Sequence, residues 1–335
     1  MNIAILMCGP AVEAGGGVRI QGLMWRDGLT ALGHKVDLVS FWDVYKWEIY
    51  DAIIILQFNG YFWGAIQQLS QHNPNIVLAP ILDPKPWNSK LKIKVMAKYF
   101  KIMERFNLTS DYIRLYKGKK YCKQFLTRSQ FETEYLSDCF DIPKGKIRIV
   151  PLSLRFNSLT EMPAKENFCF HVSRLASENK NVQRLIEAAI KYKFNLKLAG
   201  ALHGEKEYSW LKGLICDSPN IEYLGEISDM QLIDYYKRAK VFALPSTVEG
   251  VGMVALEAAG HGCEIVLTNL GAPKDYFQGR AELVNPFSVT EIGEAIVRCL
   301  KYGKSQPALL NYINDNFSLL SCSRLLESAL LSLKD

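Results

Sequence analysis

Residues 245–260, P-S-T-V-E-G-V-G-M-V-A-L-E-A-A-G, place two carboxylates, Glu249 and Glu257, around a glycine-containing turn that opens a helix. The apolar run Val241 to Leu244 reads as a buried parallel strand; Pro245 ends it, Gly250 and Gly252 permit a tight turn, and 254–259 reads as helix. The turn therefore falls at the carboxyl end of a strand, where open α/β sheets bind ligands. The first N–H groups of the helix, at Gly252, Met253 and Val254, have no intrahelical acceptor and point at an anion such as a diphosphate. The two glutamates would flank that anion, which fits hydrogen bonding to sugar and ribose hydroxyls. Taken alone, the pair also fits two carboxylates drawn electrostatically to a helix N-terminus.

The upstream residues favour the first reading. F-H-V-S-R-L followed by E-N-K-N-V-Q-R-L-I-E-A reads as strand, basic loop and amphipathic helix, with Arg174 and Lys180 in the loop. A leaving nucleoside diphosphate gathers negative charge as its bond breaks, and fixed cations stabilise that charge without a metal. Single Arg and Lys residues are usually solvated surface charges, so the signal lies in their combination with the glutamate turn.

Together these segments resemble the retaining glycosyltransferases of the GT-B fold, family 4 (glycosyl transferases group 1), whose signature is a pair of glutamates spaced as Glu249 and Glu257 are. The resemblance takes in Gly200 after N-L-K-L-A, the segment Asn220 to Ser246, the glutamate pair and V-N-P-F at Val284 to Phe287, and covers nearly all of residues 168–287. It departs from the family in three places. Lys180 follows Arg174 by six residues where five is common, Asp275 stands where glutamate is usual, and Glu264 stands where proline is common.

The resemblance implies two Rossmann-like, doubly wound parallel-sheet domains facing across a cleft. It implies transfer of a hexose-type sugar from a nucleotide diphosphate sugar to a saccharide or lipid-linked saccharide, with retention at the anomeric centre and no metal or other cofactor. Glu249 would hold the sugar hydroxyls, Arg174 and Lys180 the diphosphate, Glu257 the ribose and the backbone near Ile227 the base, with Gly252, Met253 and Val254 supplying N–H groups. Gly16 and Gly17, in A-G-G-G-V-R after the first strand, would approach the phosphates from the other domain. On the acceptor side, where many members carry a His-Asp pair, this chain offers Asp83, which a turn before Pro84 also explains. Cell-surface polysaccharide or glycolipid synthesis is the implied setting. The other readings are a nucleotide-sugar epimerase of the same fold and a membrane- or saccharide-binding protein without turnover.

The glycine loop argues against hydride transfer, because G-x-G-x-x-G begun at Gly15 meets Ile20 where its last glycine belongs. Twelve strand candidates alternate with helical segments: Asn2–Met7, Lys35–Ser40, Ala52–Gln57, Asn75–Ile81, Gln124–Thr127 and Lys146–Val150, then Phe168–Ser173, Asn195–Ala199, Ile221–Tyr223, Val241–Leu244, Glu264–Thr268 and Ala281–Val284. That alternation predicts two parallel sheets in a chain of 335 residues. Prolines and polar residues between Pro151 and Lys165 mark the boundary, giving domains 1–155 and 156–316. An amphipathic helix at about 317–335 would return to the first domain, as the resemblance implies.

Eight scattered cysteines without C-x-x-C fit reduced thiols in a cytoplasmic protein, and five histidines show no metal-ligand spacing. No long apolar run predicts a membrane span, and no cationic leader precedes the first strand. Charge is unevenly spread. Residues 84–128 carry 13 Lys or Arg against two acids, +11 in a chain of net +6, so the remainder is −5. Aromatic and aliphatic residues are interleaved with these cations, as in a helix lying on the anionic inner face of a cell membrane; an ordinary solvated helix face also fits. No nucleic-acid-binding motif is present.

Overall fold

The structure is a computed structural model, and it describes residues 1–7, 17–40, 43–82, 90–106, 110–277 and 279–334. The chain forms two compact units, Met1–Arg155 with Leu319–Asp335, and Phe156–Ser318. In the first, β1 (Asn2–Met7), β2 (Lys35–Leu38), β3 (Ala52–Leu56), β4 (Ile76–Ala79), β5 (Gln124–Thr127) and β6 (Ile147–Ile149) form one parallel sheet in the order β2-β1-β3-β4-β5-β6. In the second, β7 (Glu166–Val172), β8 (Leu196–Ala199), β9 (Ile221–Tyr223), β10 (Ala239–Leu244), β11 (Glu264–Thr268) and β12 (Glu282–Val284) form another, ordered β12-β11-β10-β7-β8-β9.

Each of the twelve strand candidates forms a strand, with no end moved by more than two residues. The central strands β3 and β4 are buried throughout, because helices cover both faces and a parallel sheet then leaves no side for polar residues. The edge strands β6, β9 and β12 are three residues long and partly exposed, which limits the unpaired edge each presents. The helix Val182–Tyr192 buries Val182, Leu185, Ile186 and Ala189, a spacing that lays one face on the sheet beside the helix Val289–Tyr302.

The helix expected at about 317–335 begins at Leu319 and runs to Leu331. Phe317 instead ends the helix Ala308–Phe317 and stacks on Tyr276 at 5.1 Å, while Ser318 takes extended backbone (φ −61, ψ 156) and breaks the periodicity. Leu326, Ala329 and Leu330 then pack with Trp25, Leu29 and the strands of the first unit, and His34 Nε2 meets Glu327 Oε1 at 2.7 Å.

Glu264, which departs from the proline common at this place among the proteins this chain resembles, has a local structural task. Its buried carboxylate accepts the backbone N–H groups of Lys304, Ser305 and Gln306 at 2.9 to 3.1 Å and so fixes the turn between the helices Val289–Tyr302 and Ala308–Phe317. A proline there would leave those three donors without this acceptor.

Candidate functional site

In the second sheet β7 leads to β8 on one side, whereas β10, paired with β7, leads to β11 on the other. A crevice must open where the connections diverge, at the carboxyl ends of β7 and β10. The loops that leave those ends carry Arg174, Lys180 and Glu249. Lys180 Nζ lies 2.8 Å from Glu249 Oε2, which also accepts the Ser246 hydroxyl at 2.9 Å. The side chains are 23% and 11% exposed, so the pair is partly withdrawn from water yet reachable. The Arg174 side chain is exposed and has no ion-pair or hydrogen-bond partner among the described residues.

Asparagine 181, which the sequence reading passed over, holds this arrangement together. It adopts left-handed backbone (φ 57) and is 5% exposed. Its amide donates to the carbonyls of Pro245 (2.8 Å) and Pro286 (2.6 Å), tying the loops after β7, β10 and β12 into one body. The Thr247 N–H donates to Asn179 O at 2.9 Å and adds a second tie. The sequence signal was an asparagine directly before an amphipathic run, since Asn tolerates left-handed backbone better than most residues. The carbonyls it serves are visible only in three dimensions.

Beneath the loops lies His171, fully buried at the end of β7. Its ring meets Ala243 O at 2.8 Å through Nδ1 and Ser173 Oγ at 2.7 Å through Nε2. Burial pushes its pKa down from 6.5 to about 4, outweighing the Ala243 bond that favours the charged form, and Lys180 lowers it further. A neutral ring therefore donates from Nδ1 and accepts at Nε2. The unfolded chain takes up this proton near 6.5 and the folded chain only near 4, so the stability contribution is present above 6.5 and is lost as pH falls toward 4. Between pH 7 and pH 5 the loss is about 2 kcal/mol. Urea titrations of the parent and His171→Gln at both pH values should show that the parent loses more; equal losses would contradict a buried neutral imidazole.

The helix that opens after the glutamate turn is Met253–Gly260, one residue longer at each end than its sequence reading. Gly252 precedes it in left-handed backbone (φ 76, ψ 55), where a side chain would be strained. Glu257 stands in the second turn, 2% exposed, and accepts the Tyr236 hydroxyl at 3.2 Å. It therefore sits deeper than Glu249. Ile227 follows β9, beyond Gly225, whose carbonyl accepts the Gly200 N–H at 2.9 Å. A hollow of about 500 Å³ lined by Ser177, Asn181, Arg184, Glu207 and Trp210 includes none of Arg174, Lys180 and Glu249, so chemistry rather than concavity locates the site.

Gly17 is exposed and begins the helix Gly17–Ala31, whereas Gly16 and Asp83 lie outside the described residues. Among the described residues no group of three or more His, Cys, Asp or Glu is arranged to hold a metal ion, and no helix is long and apolar enough to cross a membrane.

Comparison with known proteins points to the same region. Residues 158–314, just under half of the chain, match the family described as Glycosyl transferases group 1. The O-antigen chain mannosyltransferase B of Escherichia coli is 23% identical over 206 residues, 56% of this chain and 54% of that protein. The chain spans about half the length of the curated relatives it matches there. Among solved structures, Anabaena Alr3699/HepE in complex with UDP and glucose is similar with a TM-score of 0.70 at 14% identity, over 99% of this chain and 100% of that one. The apo form of the lipopolysaccharide outer core galactosyltransferase WaaB gives 0.68 at 16% identity, with the same coverage. The two parallel sheets with their flanking helices are those of the GT-B fold, and the stretch similar to glycosyl transferases group 1, residues 158–314, contains Arg174, Lys180, Glu249 and Glu257.

Proposed function

We propose that this chain is a retaining glycosyltransferase that moves a hexose-type sugar from a nucleotide diphosphate sugar to a saccharide or lipid-linked saccharide. The observation that carries the reading is the meeting of Lys180 with Glu249 at the β7/β10 crevice, beside the exposed Arg174. Before the donor arrives, Glu249 neutralises Lys180 and keeps it in place. An arriving diphosphate offers Lys180 more negative charge than one carboxylate does, so the cation turns to the leaving group and Glu249 is released toward the sugar hydroxyls. Arg174 adds a second cation, and the first N–H groups of the helix Met253–Gly260 add partial positive charge. Glu257, steadied by Tyr236, is assigned to the ribose and the backbone near Ile227 to the base. Gly17, with Gly16, is assigned to the phosphates and Asp83 to the acceptor.

In this reading the fixed cations offset the charge of the leaving group, and no metal or other cofactor is required. The match to an O-antigen mannosyltransferase supports a role in surface polysaccharide or glycolipid synthesis. The seven described cysteines form no disulfide with one another, which fits a reducing, cytoplasmic setting.

The test is a panel of nucleotide diphosphate hexoses, each incubated with and without saccharide acceptors, with released nucleoside diphosphate and the anomeric configuration of the product as readouts. Release that depends on acceptor, persists in chelator and yields a retained product is expected. Interconversion of the donor sugar without acceptor would identify an epimerase instead. Donor binding without turnover under any condition would leave a binding protein.

A further inference from the structure

The helix Lys90–Lys98 buries one apolar face, and a second apolar row runs along its other side and on through the helix Phe100–Arg105. Ile93 and Ala97, each 2% exposed, lie on the inner face; Ala97 packs on Ile113 with Trp63, Met96 and Tyr116 around it. On the other side Leu91, Val95, Tyr99, Ile102 and Phe106 are 74, 50, 53, 61 and 65% exposed. Single exposed apolar residues are normal on any surface. Five bulky ones, Leu91 and Val95 on the first helix, Ile102 on the second and Tyr99 and Phe106 at its two ends, stand at intervals of four, four, three and four residues, the spacing of a helix face. Folding leaves that face in water, where contiguous apolar area is unfavourable unless something covers it.

The charge around it specifies the cover. Residues 90–106 contain six Lys or Arg against the single acid Glu104. Lys92, Lys98 and Arg105 are exposed, and Glu104 accepts the Trp63 indole N–H at 3.0 Å. Shallow apolar insertion by Leu91, Val95 and Ile102, with Tyr99 and Phe106 at headgroup depth and cations beside phosphates, is the arrangement of an in-plane membrane helix. We infer that this face docks the protein on an anionic lipid membrane. The inference stands apart from the transfer reaction: it uses no residue of the β7/β10 crevice, and its failure would leave that reading untouched.

Sedimentation with phospholipid vesicles tests it. The full chain is expected to pellet at low salt with vesicles containing phosphatidylglycerol and to be released as ionic strength rises, because the attraction is screened over roughly 8 to 10 Å at physiological salt. Pure phosphatidylcholine vesicles should retain at least about five-fold less protein. The variant Leu91→Ser/Val95→Ser/Ile102→Ser/Phe106→Ser should bind anionic vesicles at least about ten-fold more weakly while keeping the parent's thermal midpoint, since the removed side chains are exposed. Lys98→Gln/Arg105→Gln, which leaves the apolar stripe intact, should lower binding and flatten its salt dependence. Absence of parent from the anionic pellet at low salt, or parental binding by the serine variant, overturns the proposal. So does a dimer in sedimentation velocity that the serine substitutions dissolve, because the face would then join two copies of the chain.

Discussion

Arg174→Ala and Lys180→Ala are each expected to lower turnover about 100-fold, a loss of about 2.7 kcal/mol of transition-state stabilisation. The two should differ in their side effects. The Arg174 guanidinium has no partner among the described residues, so its removal should leave unfolding free energy within about 0.5 kcal/mol of the parent. Loss of Lys180 deprives the Glu249 carboxylate of its cation at a site only 11% exposed. That effect is separable by a double-mutant cycle. If Lys180 acts on the diphosphate, its substitution should still weaken nucleoside diphosphate binding when Glu249 is already Ala, as calorimetry would read directly. Should the Lys180 effect vanish in that background, the lysine serves only to hold Glu249. Near-parental turnover in both single variants would remove the pair of cations from the mechanism.

Gly200→Ala should be the most damaging single-methyl change in the second unit, costing about 3–5 kcal/mol from steric overlap and backbone strain together. A Cβ at this position would lie 1.9 Å from the Ser173 carbonyl oxygen, and the backbone sits at φ +144. The obstacle is main chain, so no rotamer change relieves it. Gly200 is also tied on both sides, its N–H donating to Gly225 and its carbonyl accepting the Tyr223 hydroxyl at 3.0 Å. Any shift would move Ser173 and with it Arg174. Gly204→Ala is the control: φ is +74, but nothing lies within 4 Å, so only conformational strain of about 1 kcal/mol is expected. Equal urea midpoints for the two variants would show that the close approach to Ser173 is not maintained.

The sheets were legible because parallel strands covered on both faces are written as short, unbroken apolar runs. Ala52–Leu56 and Ile76–Ala79 illustrate this: every position is buried, and each strand stands within its run. The GT-B fold was legible through the order of motifs around Gly200, the glutamate turn and V-N-P-F. What the sequence could not display is reciprocity. Arg174, Lys180 and Glu249 can each be singled out by type, yet the direct bond between Lys180 and Glu249, and the absence of any such bond at Arg174 among the described residues, depend on how two loops meet. Asn181 and Glu264 act on backbone groups of distant segments, which no local pattern records. The helix break at Ser318 escaped notice because Phe317 and Leu319 are both apolar and continue the expected period.

The Lys180–Glu249 bond joins residues 69 apart in the chain, because the first strand of the second sheet pairs with the fourth. Loop closure on that scale precedes any reward from the contact, and such non-local pairings slow folding. During synthesis, Arg174 and Lys180 emerge well before Glu249, the carboxylate that will pair with Lys180. Until β10 is made and has inserted beside β7, the growing chain presents these cations, and the unpaired edge of β7, to whatever surrounds the ribosome. The arrangement that gathers charge in one crevice therefore makes the crevice a late product of assembly.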